Sequence, residues 1–90
     1  MQILLSPKFV KQLKRLHPNE KRFLDRAVKK ISEDVEIGDP KVGDLENIFV
    51  YKFKMKDQQW LLAYRVISKK TLKLILMGPH ENFYRDLKKN

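Results

Sequence analysis

Apolar positions recur along this chain first at helical and then at strand spacing. The short apolar run Gln2 to Leu5 suits an edge or entry strand, and Ser6-Pro7 behind it reads as an N-cap followed by proline at the first helical position, where the missing N–H costs nothing. Phe9, Val10, Leu13 and Leu16 follow at the 3.6-residue period, with Lys8, Lys11, Lys14 and Arg15 on the other faces. This predicts an amphipathic helix to about His17 with a basic outer side. His17-Pro18-Asn19 reads as a turn with Asn as a good cap. Phe23, Leu24, Ala27, Val28, Ile31 and Val35 then hold the same period for more than three turns. Gly38, as a left-handed stop, and Asp39-Pro40 are expected to end that helix. Two amphipathic helices joined by so short a turn predict an antiparallel hairpin.

After an expected loop from Gly38 to Asp44 the period becomes two. From Ile48 to Lys56 the residues Phe49, Tyr51, Phe53 and Met55 share one face, and Val50, Lys52, Lys54 and Lys56 the other. A turn at Lys56-Asp57-Gln58 leads to a strand with Trp60, Leu62, Tyr64 and Val66 on one side and Leu61, Ala63, Arg65 and Ile67 on the other. Beyond the polar turn Ser68-Lys69-Lys70, the strand Thr71 to Met77 sets Leu72, Leu74 and Leu76 opposite Lys73. Gly78-Pro79 ends the sheet, and His80-Glu81-Asn82 offers caps for a short helix carrying Phe83, Tyr84 and Leu87. The expectation is a single α+β domain over residues 1–90 in the order β-α-α-β-β-β(-α). Its antiparallel sheet carries the helix hairpin on one face and leaves the face with Lys52, Lys54 and Arg65 open.

Composition narrows the chemistry. Ninety residues hold one small core at most, and no run approaches the roughly 18 uncharged apolar residues of a membrane span. The opening residues lack the basic stretch and cleavage site of a signal peptide, so a cytoplasmic location is expected. With no cysteine and two distant histidines, neither disulfides nor a metal site is expected, and no cofactor is implied. Net charge is +9, yet Glu33 to Glu46 holds six acidic residues against one lysine, a net of −5 that leaves +14 elsewhere. A pI of about 9.9 points to a polyanionic partner, although a lysine-rich surface equally serves solubility.

The element order, with the opening Ser6-Pro7-Lys8-Phe9-Val10-Lys11-Gln12-Leu13 and the ending Gly78-Pro79-His80-Glu81-Asn82-Phe83-Tyr84, resembles the RelE/ParE superfamily of bacterial toxins over essentially the whole chain. That resemblance implies the toxin of a type II toxin–antitoxin pair. RelE-type members cut mRNA in the ribosomal A site. ParE-type members inhibit DNA gyrase and are not nucleases. Both types are neutralised by a co-encoded antitoxin, usually acidic where it wraps the toxin, and the complex binds operator DNA through the antitoxin.

Carried over residue by residue, the family's aromatic-Lys-apolar-Lys pattern falls on Tyr51-Lys52-Phe53-Lys54, making Lys52 and Lys54 candidates for binding the scissile phosphate. Its Arg-apolar-apolar-Tyr falls on Leu61-Leu62-Ala63-Tyr64, so leucine stands where the family has arginine. His80 matches the His-containing nuclease branch and suits acid–base work near neutral pH, with Tyr84 beside it as a catalytic or stacking group. Arg65, Lys56, Lys73 and Phe83 are the expected RNA contacts. Without the resemblance, His80 is as simply a helix cap and the lysines a solvated strand face. Three functions follow: a ribosome-dependent mRNA endonuclease first, then a ParE-like gyrase inhibitor, which Leu61 favours, then a small non-catalytic RNA-binding module.

Overall fold

Ser6 caps the first helix as its neighbours predict: its hydroxyl accepts the N–H of Phe9 at 3.0 Å, with Pro7 in the first turn. In this computed structural model, which describes residues 1–41, 43 and 47–89, the elements are β1 (Gln2–Leu5), α1 (Pro7–Lys14), α2 (Pro18–Glu33), β2 (Asp39–Pro40), β3 (Ile48–Met55), β4 (Gln58–Ser68), β5 (Thr71–Pro79) and α3 (Phe83–Lys88). The α+β class agrees with the sequence pattern, and so does the element order apart from the added β2. His17, rather than Asn19, caps α2, and Glu20 Oε1 accepts the His17 N–H at 2.9 Å. None of the described helices is long and apolar enough to cross a membrane.

The five strands run in the order β1-β5-β4-β3-β2. β3, β4 and β5 form the expected antiparallel meander, but β1 joins β5 in parallel, so the sheet is mixed. Part of the expected Gly38–Asp44 loop is a strand: Asp39 and Pro40 pair with Val50 and Phe49. The loop's Asp44, and Glu46 of the acidic segment, lie outside the described residues.

Gly38 does not stop α2, which ends at Glu33. Gly38 instead lets the chain pass Tyr64, because a Cβ there would stand 3.0 Å from the Tyr64 hydroxyl and 3.1 Å from the Val50 carbonyl carbon. The Tyr64 hydroxyl donates to Val35 O at 2.7 Å and accepts Gly38 N–H at 3.1 Å, and its ring stacks on Phe49. One phenol thus ties the exit of α2 to the central strand.

β5 departs from the period-two reading. The register passes from Ala63↔Leu76 to Tyr64↔Leu74, leaving Ile75 as the extra residue of a β-bulge. Side-chain parity reverses there. Leu72 and Leu74 face α1 and α2, whereas Leu76, expected beside them, packs on the opposite side and Met77 takes its place. The bulge carbonyl receives the Ser6 hydroxyl at 2.6 Å. Two residues on, the Gln12 amide accepts from Met77 N at 2.9 Å and donates to Met77 O at 2.6 Å, as a neighbouring strand would.

The face expected to be open is partly covered. Ile48, Val50, Leu61, Ala63, Ile75 and Leu76 form a second core with Phe83 and Leu87 of α3. β4 is therefore buried on both sides, with Leu61, Leu62, Ala63 and Tyr64 each 0% exposed.

Replacing Ser6 with alanine removes a helix cap and leaves the bulge carbonyl unpaired, and should cost about 2–3 kcal/mol in urea unfolding. Tyr64→Phe keeps the ring but strands two backbone groups, at an expected cost of about 1–3 kcal/mol. Burial holds the Tyr64 phenol above its ordinary value of 10.0; the Gly38 N–H opposes this, and the Asp34 and Glu36 carboxylates add to it. The unfolded chain therefore ionises first, so the advantage over Tyr64→Phe should be constant at neutral pH and shrink as pH rises past about 10.

Candidate active site

Strand alternation carries Lys52 and Lys54 onto the α3 side of β3, two residues and about 7 Å apart, both exposed. Lys52 lies opposite Leu61, which lies opposite Gly78, so one row across three strands runs from a cation to the end of β5. His80 follows two residues beyond Gly78. Its exposed ring stands edge-on to Tyr84 at 5.9 Å between centroids, and Phe83 meets Tyr84 edge-on at 5.3 Å. The helix cap is Asn82, in a left-handed conformation, so His80 does not serve as the cap.

The bulge at Ile75 decides which faces the end of β5 presents just before His80. By unbroken alternation, Gly78 would share the face of Leu72 and Leu74 under α1. After the bulge it has the parity of Leu76, the side on which Lys52 and Lys54 lie, and His80 stands in the bend just past the strand. The contact with Tyr84, itself packed on the second core, agrees with that placement.

A residue not singled out in the sequence joins the group. Lys41, directly after β2, places its Nζ 5.3 Å from the centre of the Tyr84 ring, a cation–π contact. In sequence it is the lone lysine of the acidic segment, and only the β2–β3 pairing shows which way it reaches. A second unread feature is a groove of about 500 Å³ between the end of α1, the end of β5 and α3, with Leu16, Trp60 and Met77 among its walls and Arg15 and Arg85 also lining it.

Other expected site residues fall elsewhere. Phe83, expected to contact RNA, is 2% exposed and belongs to the second core, because α3 lies on the sheet face taken to be open. Arg65 and Lys73 are cross-strand neighbours, but at the far end of the sheet. The row Val50–Ala63–Leu76, buried with α3, stands between them and Lys52. Lys56 occupies the β3–β4 turn with φ of 58° and lines a cleft with Arg22 and Arg26 of α2. Leu61, at the family's arginine position, is fully buried in the second core.

Comparison with known proteins agrees with this architecture. A family model described as the ParE-like toxin of a type II bacterial toxin-antitoxin system matches residues 3–88. Among solved structures, a mutant of the E. coli toxin RelE in the free state superposes with a TM-score of 0.74 at 19% identity, covering 98% of this chain and 94% of its own. A chain of the intact E. coli RelBE toxin-antitoxin complex gives 0.69 at 20% identity, covering 89% and 96%. RelE mutant in complex with an antitoxin RelBc peptide gives 0.68 at 19% identity, covering 94% and 90%. No curated protein matches the sequence.

Restoring the family's arginine by Leu61→Arg should not create a site. It would drive a guanidinium into an apolar core, with an expected loss of about 3–5 kcal/mol in denaturant unfolding. Stability equal to the parent would show that α3 yields freely at this point.

Proposed function

The chain belongs to the ParE-like toxins of type II bacterial toxin-antitoxin systems, and we propose that within that class it is a ribosome-dependent mRNA endonuclease that arrests translation. The carrying observation is the Tyr84 ring of α3, which meets His80 from beyond the end of β5 and the Lys41 ammonium from the outer edge of the sheet, on the face that displays Lys52 and Lys54. Cleavage by this group uses the RNA's own 2′-hydroxyl. As its oxygen bonds to phosphorus, the P–O5′ bond breaks, leaving a 2′,3′-cyclic phosphate and a 5′-hydroxyl. One proton leaves the nucleophile and one reaches the departing oxygen.

His80 is the acid–base group of this reading, and the Tyr84 hydroxyl stands on the leaving-group side. Lys52 and Lys54 hold the phosphate and offset the charge that develops on it. Lys41 adds a cation next to Tyr84, which matters because β4 supplies none at Leu61. A site with so few groups suffices if the ribosome orients the message, since positioning alone contributes several kcal/mol. The partner in the resting complex is an acidic antitoxin segment, for which a net charge of +9 is suited; E. coli RelE is solved in complex with an antitoxin, RelB.

The second reading is a gyrase inhibitor without an active site of its own. The buried Leu61 favours it.

The deciding experiment is a coupled translation reaction on end-labelled mRNA, run with and without ribosomes. Cuts that need ribosomes and fall by about 10²–10⁴-fold in His80→Ala are expected. Lys52→Ala with Lys54→Ala should weaken cleavage as well. An intact message, together with inhibited gyrase supercoiling, would replace the nuclease with the second reading.

A further inference from the structure

Phe23 is the large apolar residue of α2 that neither core uses. It is half-buried, yet it belongs neither to the two buried clusters nor to the half-buried residues packed on them. The Arg26 guanidinium instead lies 5.9 Å from its ring centre. Two clefts meet at these residues. One is lined by Asn19, Arg22, Phe23, Arg26 and Lys56. The other has Phe23 and Arg26 again, with Lys30, Tyr51, Phe53 and Lys54.

No carboxylate lines either cleft, and the nearby Asp25 is paired with Lys21 at 3.3 Å. β2 pairs with β3 only at Phe49 and Val50, so this stretch of β3 lies beyond it. Arg22, Arg26 and Lys30 step along α2 every four residues, about 6 Å each, beside Phe23 and two half-buried rings, Tyr51 and Phe53, that also pack on the first core.

We propose that this surface, between α2 and the outer part of β3, is a track for single-stranded RNA, with the cations on successive phosphates and Phe23, Tyr51 and Phe53 as stacking faces for bases. Charge alone would suit an acidic peptide equally. The interleaved rings favour RNA, because every base has a face to stack and an acidic peptide has none. The ligand class rests on the RNA reading above, but the track is separate from the His80 group. Lys54, on the edge of both, is where a bound strand would pass from one to the other.

The test is fluorescence anisotropy of the full chain with a labelled 12-nucleotide oligoadenosine across a salt series. Arg22→Gln with Arg26→Gln should weaken binding at least tenfold and lower the salt slope by about 1.4, roughly 0.7 per cation removed. Phe23→Ala should weaken binding about fivefold or more at an unchanged slope. Lys11→Gln with Lys14→Gln on α1 should bind as the parent does.

Equal weakening by the α1 pair would reduce the effect to diffuse charge and overturn the track. Equal affinity for duplex RNA would overturn it too, since paired bases cannot stack on the rings. So would absent RNA binding with retention of an oligo-glutamate peptide that Arg22→Gln with Arg26→Gln releases, which would mark a protein-docking face. RNA bound here by a chain that cuts no message would leave the track standing and sink only the nuclease.

Discussion

Everything beyond residue 75 depends on how the edge of β5 is satisfied. β1 covers that edge only as far as Leu74, and a strand left bare there would expose backbone groups beside the core. Two side chains of the first helical segment complete it. Ser6 takes the bulge carbonyl while capping α1, and the Gln12 amide pairs with both backbone groups of Met77. Because Ser6 is committed to helix and strand together, the position of α1 on the sheet and the position of the bulge are one constraint. That constraint reverses the faces of β5 and sends Leu76 into the second core, on which Tyr84 packs and meets His80.

The two-sided burial of β4 explains why cations sit where they do. A strand carrying Leu61, Leu62, Ala63 and Tyr64 fully buried has no room for charge at its centre. Charge is displaced to the rims: Lys52 and Lys54 near one end, Arg65 and Lys73 near the other, and Arg22, Arg26 and Lys56 beyond the outer strand. Tyr64 is the polar exception, and it is tolerated because its hydroxyl makes two backbone hydrogen bonds.

Most elements were legible because their periods are clean. The helices, the three-strand meander and the terminal helix all follow from spacing and caps. The bulge was not, since Leu74-Ile75-Leu76-Met77 is apolar throughout and an uninterrupted run carries no alternation to reveal a slip. The parallel direction of a four-residue β1 has no local signature either. The covered second face did leave a signal: Trp60 to Tyr64 is itself a continuous apolar run, the mark of a strand buried on both sides. Reading it as alternating left the face of Leu61 open and turned Phe83 into an RNA contact. At the site, the types of His80, Tyr84, Lys52 and Lys54 were readable, whereas Lys41 reaches Tyr84 only through the pairing of β2 with β3.

Leu61 links fold and chemistry. With leucine there, the sheet face is apolar enough for Phe83 and Leu87 to seat α3 on it, and α3 in turn holds Tyr84 against Lys41 and His80. An arginine at the same place would bring charge to the phosphate but would deny α3 its seat. On the nuclease reading, then, cationic help comes from β3 and from the residue after β2, around a tyrosine held by packing. The positive charge missing from the middle of the sheet is supplied from its outer edge.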